Sequence, residues 1–225
     1  MAVISIANPK GGAGKTTLAL VLADEFARNG ASVAVIDADP NAVIAKWAHR
    51  RDGEGKNTRF QIIPRPDEAK MISTIDQLSE TTDIIIIDLE GTASRMTSRA
   101  LLRSHLVLIP FNQSPIDAEL AANAVALVAE ESEAVQRDIP FRLIRSRDNA
   151  AIATKSSQRI LSAIKEADMP MLNVGLVERA AYRDMFDFNA TLDELDSSTT
   201  SGIEKAMDNA KAVASAVLDA FKEVN

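Results

Sequence analysis

The first thirty residues contain the feature that most restricts the fold of this chain. An apolar run from Val3 to Ala7 precedes a loop containing Gly11, Gly12 and Gly14, and residues 16–29 then carry apolar side chains at helical spacing. The pattern predicts a buried strand, a glycine-rich loop and a helix in direct succession. Such a loop turns successive backbone N–H groups toward one point, and the helix adds the positive end of its dipole. An anion is therefore expected at the loop.

Two lysines distinguish this loop from a standard phosphate-binding loop. The standard pattern places a glycine six residues before its lysine, and Pro9 occupies that position here. The lysine of the pattern, here Lys15, reaches the outer phosphates. The hydroxyl residue that follows it, here Thr16, ligates Mg2+. A second lysine, Lys10, stands at the entrance to the loop. The alternative is a flexible loop with two solvated lysines, which the strand and helix flanks disfavour.

Aspartates lie at the ends of two further predicted strands, residues 32–37 and 83–88. Four consecutive isoleucines in the second strand suit a strand covered on both faces, as in a parallel sheet. The two-residue spacing of Asp37 and Asp39 puts both carboxylates on one side of an extended backbone, and Asp88 ends the isoleucine strand. Open α/β sheets bind ligands at the edge formed by the carboxyl ends of their strands, where these aspartates are expected to lie. Turn formation at Asp39-Pro40 and simple capping by Asp88 are the alternatives.

Alternating strand and helix patterns run through the whole chain. They predict one α/β domain over residues 1–225, with a mostly parallel twisted sheet and helices on both faces. Residues 178–201 are expected to form a connecting region. Further strands are predicted at 60–63, 105–110, 139–145 and 171–177, and further helices at 41–49, 68–78, 93–103, 115–135, 151–167 and 203–224.

Composition excludes several classes of site. The 225 residues include no cysteine, so disulfides, thiolate metal sites and cysteine nucleophiles are ruled out. No apolar run approaches the roughly 20 residues of a membrane span, and no basic, apolar signal region precedes the first strand, so we expect a cytoplasmic protein. The helix at 203–224 mixes acids with lysines on its polar face, which favours docking on the domain over binding to anionic lipid.

The loop and the acidic strand ends together resemble a known family. The box Lys10-Gly11-Gly12-Ala13-Gly14-Lys15-Thr16 is similar to the deviant Walker A box of the ParA/MinD ATPases, and the chain is most similar to small plasmid-type ParA partition proteins without an N-terminal helix-turn-helix domain. The resemblance implies a P-loop NTPase fold, ATP and Mg2+ as cofactors, and a homodimer that forms on ATP. The segment Leu89-Glu90-Gly91-Thr92 departs from the family, where many members carry two prolines.

The resemblance also implies roles for individual residues. Lys10 would reach the partner subunit's nucleotide, Lys15 would act on the outer phosphates, and Asp39 would orient the attacking water. Thr16, Asp37 and Asp88 would hold the metal. The expected nucleotide contacts are Lys10, Gly11, Gly12, Ala13, Gly14, Lys15, Thr16 and Thr17.

A local basic surplus is the candidate for DNA binding. The net charge is -7, yet the segment from Arg142 to Arg183 holds eight Arg or Lys against four Asp or Glu. ParA proteins bind DNA nonspecifically as ATP dimers, and a centromere-binding partner of ParB type stimulates hydrolysis and releases them. The resemblance therefore implies association with the nucleoid in the ATP-bound state and no membrane partner. The DNA candidates are Arg145, Arg147, Lys155, Arg159, Arg179 and Arg183, with an ordinary solvated surface as the alternative.

Two other functions share these motifs. A ParA-like ATPase could position a protein cargo or recruit a DNA-processing complex. A metabolic enzyme of dethiobiotin synthetase or cobyrinic acid synthase type would transfer phosphate to a small carboxylate. Only the second of these needs a pocket for an organic acid beside the loop.

Overall fold

The computed structural model describes residues 1–91, 94–148 and 154–224. Within them, strands β1 to β7 are Ala2–Ile6, Val33–Asp37, Gln61–Pro64, Ile84–Asp88, Leu106–Phe111, Phe141–Asp148 and Leu176–Val177. Helices α1 to α8 are Lys15–Arg28, Val43–Gly53, Met71–Ser79, Arg95–Leu101, Pro115–Val135, Lys155–Glu166, Ala180–Asp187 and Ile203–Val224. Short 3-10 turns span Glu68–Lys70 and Leu192–Glu194.

The strands form one parallel sheet in the order β3-β2-β4-β1-β5-β6-β7. The isoleucine strand β4 lies between β1 and β2, and all five of its residues are buried. Helices cover both faces of the sheet, as β-α crossovers require. The predicted α/β fold, with a mostly parallel sheet between two helical layers, is confirmed.

Each face of the sheet has its own apolar core. On one face, Ile4, Ile6 and Ile86 pack with residues of α1, α2, α7 and α8. On the other face, Val3, Ile85 and Ile87 pack with residues of α3, α4, α5 and α6. Alternate residues of a strand point to opposite faces, so one isoleucine run supplies both cores. The sheet is therefore a rigid platform whose carboxyl edge carries the loops.

Helix α8 packs its apolar side against α1 and the 3-10 turn at Leu192–Glu194. Ala206, Ala210, Val213 and Val217 are fully buried there. The apolar side that a membrane-surface helix would present is therefore covered by the domain itself. In the described part of the chain, no helix combines the length and apolarity that a membrane span requires.

The predictions for the last third were partly wrong. The expected connecting region contains α7, a short amphipathic helix whose Ala181, Tyr182 and Met185 are buried. The expected strand at 171–177 pairs as a strand only at Leu176–Val177, with one isolated bridge from Met171 to Leu143. The chain leaves the sheet between these points, where the Asn173 carbonyl accepts a hydrogen bond from Arg145. The described residues do not include 92–93 and 149–153, which contain the first residues of the helices predicted at 93–103 and 151–167 and the residues just before them.

Candidate functional site

The loop between β1 and α1 leaves the first turn of α1 open to a ligand. Gly14 occupies the N-cap position with φ +93°, and no side chain caps the helix. A Cβ at Gly14 would lie 2.1 Å from the Oγ of Ser146, so the position accepts only glycine for space as well as conformation. The first N–H groups of a helix have no partner within the helix. These uncapped donors at Lys15, Thr16 and Thr17 suit an anion.

Lys15 is turned inward, and it is only 6% exposed. Its Nζ donates hydrogen bonds to the carbonyl oxygens of Asn8 at 3.1 Å and Lys10 at 3.3 Å. Burial lowers the pKa of Lys15, while the charges of Asp88 and Asp39 act in the opposite direction. The ammonium is thus held among oxygen atoms inside the loop, within the field of two of the predicted acids.

Lys10 is held by a carboxylate of its own subunit. Its Nζ lies 2.8 Å from Oδ1 of Asp117, which is 3% exposed at the start of α5. Burial tends to raise the pKa of Asp117, but hydrogen bonds from Lys10 and Ser114 outweigh it and hold the pKa below its ordinary value. Asn8 fixes the approach to the loop, because its side chain accepts from the Lys10 N–H at 2.7 Å and donates to the Pro110 carbonyl at 2.8 Å.

Asp37 and Asp88 are brought side by side. They are paired in register at the ends of β2 and β4, and both are fully buried. Oδ2 of Asp37 accepts from the Ala45 N–H at 2.9 Å. Among the described residues, Oδ1 of Asp37 and both carboxylate oxygens of Asp88 have no hydrogen-bond partner.

The electrostatics of this pair favour a bound cation. Burial raises the pKa of Asp88 to about 7, and the Asp37 charge reinforces this effect. The Thr16 hydroxyl lies near enough to oppose it, although its position does not complete a hydrogen bond to Asp88. Burial also raises the pKa of Asp37, against the hydrogen bond from Ala45. The described residues hold no cluster of three or more acid or histidine side chains arranged around one metal position. Mg2+ commonly takes only one or two protein carboxylates beside phosphates and water, so the residues present fit such an ion.

Asp39 follows these two acids on the edge of the site. It is partly exposed, and its Oδ1 accepts from the Asn41 N–H at 2.7 Å, which is the turn geometry considered as its alternative role. Its charge contributes to the pKa values of Lys15 and Asp88, so it lies within their electrostatic range. Ala42, which ends this turn, has φ +48°, a strained conformation for alanine.

Gly91 lies against the loop, a contact that sequence reasoning missed. A Cβ at Gly91 would lie 3.1 Å from the Pro9 carbonyl oxygen and 3.6 Å from Nζ of Lys15. The segment that replaces the paired prolines of many relatives therefore approaches the loop through a residue without a side chain. The neighbouring Glu90 lies 3.8 Å from Arg65.

A cavity of about 290 Å3 opens beside the loop. One wall is Gly14 and Thr17, and the other follows β6, β7 and α7. The sequence did not predict this cavity, because the part of the second wall at residues 178–186 comes from the region expected to be a connector. The lining residues are Gly14, Thr17, Ser146, Arg147, Leu176, Val177, Glu178, Arg179, Tyr182, Arg183 and Phe186.

The six DNA candidates do not share one surface. Arg147, Arg179 and Arg183 line the cavity beside the loop. Lys155 and Arg159 lie exposed on α6, on a shallow groove of that helix. Arg145 is partly buried, and its guanidinium donates to the Asn173 carbonyl at 3.1 Å.

Comparisons with known proteins identify the family of the chain. A model of the VirC1 protein family matches residues 1–223. The protein named ParA of Rhizobium radiobacter is 34% identical over 223 residues, covering 99% of each chain. Maintenance of carboxysome distribution protein A of Halothiobacillus neapolitanus is 21% identical over 182 residues, covering 80% of this chain and 81% of its own.

Similarity to solved structures supports the fold. The ATP complex of a McdA variant from Cyanothece superposes with a TM-score of 0.77 at 20% identity, covering 96% of both chains. The likeness of sequence is stronger for the family model and for the Rhizobium protein, and both extend over almost the whole chain. The chain therefore belongs to the VirC1 family, among the partition and positioning ATPases of ParA/MinD type.

Proposed function

We propose that residues 1–225 act as one ParA-type domain that binds ATP with Mg2+, dimerises, binds DNA nonspecifically and hydrolyses ATP slowly. One observation carries the proposal: two lysines and three aspartates converge on a glycine-rich loop, and three carboxylate oxygens among them are buried without a partner in the described chain. Buried charge without a partner is costly. A bound cation and triphosphate would supply those partners.

Each residue of the site then has a task. The loop N–H groups and Lys15 bind the phosphates, with Lys15 exchanging the carbonyls of Asn8 and Lys10 for phosphate oxygens. Thr16, Asp88 and Asp37 would hold Mg2+. When bound, the ion neutralises charge on the β- and γ-phosphates. Asp39 orients the attacking water from the open side of the site.

The cavity beside the loop would hold the nucleoside. It begins at Gly14 and Thr17, so a nucleotide whose phosphates lie in the loop extends naturally into it. Arg147, Arg179 and Arg183 would then contact the nucleotide. Lys155 and Arg159, exposed on α6, remain the better placed DNA candidates, because phosphate affinity needs cations free to approach a duplex.

Dimerisation would require a change at Lys10. In the single subunit its ammonium is bound to Asp117, whereas the proposed cycle has it reach the partner's nucleotide. A cation at this position would stabilise the charge that accumulates on the phosphates during hydrolysis. A centromere-binding protein of ParB type is the partner we propose for stimulation, since a relative 34% identical carries the name ParA.

A second candidate is the positioning of a protein cargo. It is favoured by the similarity to a protein named for the maintenance of carboxysome distribution. The nucleotide site would be the same, and the cargo contact would replace the ParB-type partner. Partner capture and DNA dependence separate the two functions.

Retention on DNA tests the proposal. We would measure it with ATP, with ADP and without nucleotide, at two salt concentrations, for the wild type and Asp39→Ala, with Asp52→Ala on exposed α2 surface as the control. We expect retention only with ATP, strong salt sensitivity, and a trapped DNA-bound form in Asp39→Ala alone. ATP turnover without DNA retention would favour the positioning of a protein cargo by a mechanism that does not use DNA. Turnover that rises with a small carboxylate and ignores DNA would contradict the proposal and favour a metabolic enzyme.

A further inference from the structure

The outer wall of the nucleoside cavity belongs to a strand with little support of its own. Strand β7 has two residues, and it pairs with β6 only at Ser146 and Asp148, across a register irregularity. It is the last strand in the described sheet, so its outer edge faces no other strand. Backbone N–H and C=O groups on such an edge need partners from elsewhere.

One side chain of α8 supplies those partners. The Val177 N–H donates to Oδ1 of Asn209 at 2.9 Å, and Nδ2 of Asn209 donates to the Gly175 carbonyl at 2.9 Å. Residues two apart present their backbone groups to the same edge of a strand. The amide of Asn209 therefore takes the place of a neighbouring peptide group and extends the ladder beyond β7.

The same amide also fixes α7. The hydroxyl of Tyr182 lies 3.0 Å from Oδ1 of Asn209 and 2.9 Å from the Ala206 carbonyl oxygen. Val177 and Tyr182 both line the cavity. Asn209 thus joins the two elements of one cavity wall without itself lining the cavity.

Attachment of α8 does not depend on this residue. Ala206, Ala210, Val213 and Val217 are fully buried against the domain, and Arg142 of β6 pairs with Glu223 near the end of the helix at 2.9 Å. The hydrogen bonds of Asn209 go to the cavity wall, whereas apolar packing holds the helix.

We infer that Asn209 is a positioning residue for the nucleoside half of the nucleotide site. The inference rests on the proposed function, because it assumes that ATP occupies the loop and the adjoining cavity. Loss of the amide leaves the Val177 N–H and the Gly175 C=O unpaired and frees the wall to move. The phosphate half of the site, formed by the loop and α1, has no contact with Asn209 among the described hydrogen bonds.

Two ligands separate the two halves of the site. ATP uses the loop and the cavity, and inorganic tripolyphosphate uses the loop alone. We would measure the binding of both, with Mg2+, by isothermal titration calorimetry for the wild type, Asn209→Ala and Glu223→Gln. The last variant removes the ion pair between Arg142 and α8 and serves as the matched control, and thermal unfolding reports the fold of each variant.

We expect Asn209→Ala to weaken ATP binding about tenfold, because the loosened wall would have to be ordered when ATP binds, and to leave tripolyphosphate binding unchanged. Glu223→Gln should bind both ligands like the wild type. Hydrogen exchange at the Val177 amide should rise in Asn209→Ala and remain slow in Glu223→Gln. If Asn209→Ala does not fold, Asn209→Asp, which keeps the acceptor for Val177 and Tyr182, should show a smaller loss confined to ATP.

Unchanged ATP binding in a folded Asn209 variant, or equal losses for ATP and tripolyphosphate, would overturn the inference. A wild type that binds neither ligand would instead overturn the proposed function. The two failures are therefore distinguishable in one set of titrations.

Discussion

Two clusters of buried charge among the described residues differ in their hydrogen bonding. The loop cluster is Lys15, Asp37 and Asp88, at the carboxyl edge of the sheet. The arginine cluster is Asp24, Arg51, Arg59, Asp193 and Glu194, between α1, α2 and the 3-10 turn at Leu192–Glu194. Both contain side chains that are almost fully buried.

In the arginine cluster the protein supplies the partners. Arg51 is 1% exposed, donates to both carboxylate oxygens of Glu194, and lies 4.8 Å from the ring centroid of Trp47. Arg59 bridges Asp24 and Asp193. Hydrogen bonds from these arginines lower the pKa values of Asp193 and Glu194 to about 2. The cluster ties the C-terminal segment to α1 and α2, and its carboxylates have partners within the protein, although Nε of Arg51 has no hydrogen-bond partner in the described chain.

In the loop cluster the acids lack such partners. Both oxygens of Asp88 and one of Asp37 are unpaired in the described chain, and burial raises the pKa of each residue. Burial of charge alone therefore does not identify a ligand site. Buried charge that the protein has not neutralised, at an edge where loops meet, is the informative feature.

The first two predictions each replace one buried cation by methionine, Lys15 in the loop cluster and Arg51 in the arginine cluster. We expect Lys15→Met to reduce ATP hydrolysis about a thousandfold, because the phosphates lose their only buried lysine in the described loop, while the free energy of unfolding changes little. Steady-state phosphate release and chemical denaturation measure the two effects. A Lys15→Met variant that unfolds easily and still hydrolyses ATP would remove the distinction between the clusters.

The second prediction concerns Arg51, the buried cation of the arginine cluster. Arg51→Met should lower the free energy of unfolding by about 3 to 5 kcal/mol, since Glu194 would be left without its guanidinium and two backbone carbonyls would lose their donor. Its ATP affinity, measured well below the unfolding temperature, should stay within about twofold of wild type. A large loss of affinity in the folded variant would show that the arginine cluster also serves the nucleotide.

The third prediction is a pH dependence of the protein without nucleotide. An acid whose pKa is raised on folding binds more protons in the folded state, so stability falls as pH rises between its unfolded and folded pKa values. With the pKa of Asp88 at about 7, the free energy of unfolding should fall by about 3 kcal/mol between about pH 5 and pH 8. Urea denaturation across this range measures the slope.

Two variants assign that slope. Burial also raises the pKa of Asp24, to about 6, so both clusters contribute with the same sign. Asp88→Asn should remove the larger part of the slope and Asp24→Asn the smaller part. Saturating ATP with Mg2+ should flatten the slope of the wild type but leave the Asp24 part intact. A slope unaffected by Asp88→Asn would contradict the assignment.

The fourth prediction concerns the ion pair between Lys10 and Asp117. We expect Asp117→Asn to strengthen ATP-dependent dimerisation about fivefold, measured as the dimer dissociation constant, because the lysine no longer has to leave a carboxylate. Ser114→Ala is the control, since it removes another hydrogen bond to Asp117 and keeps the ion pair. Sedimentation velocity measures both. Fewer dimers in Asp117→Asn would mean that the pair supports the dimer.

Local patterns predicted the strand-loop-helix unit and the neighbouring acids well. Runs such as Ile84–Asp88 have one plausible structure in an α/β chain, and the parallel register then places Asp37 beside Asp88 without further information. The helix predicted at 115–135 is likewise present, with Ser114 as its N-cap and Pro115 at its first position, both of which are local sequence signals. These features depend on short segments of sequence.

Contacts between distant segments could not be predicted in this way. Asp117 meets Lys10 across 107 residues, and Asn209 meets Val177 across 32. Helix α7 was missed because it is only eight residues long and lies in a polar stretch of the chain, and Tyr182 and Met185 become core residues only where α8 covers them. The division of the DNA candidates between cavity and α6 also follows from tertiary structure alone.

We propose that the unpaired acids of the loop cluster bind magnesium together with a triphosphate. Calorimetric titration of ATP into the wild type and Asp88→Asn, each with and without Mg2+, tests it most directly. We predict that Mg2+ strengthens ATP binding to the wild type at least about tenfold and that Asp88→Asn loses most of this gain. Equal Mg2+ dependence in the two proteins, or tight binding of ATP to the wild type without Mg2+, would contradict the account.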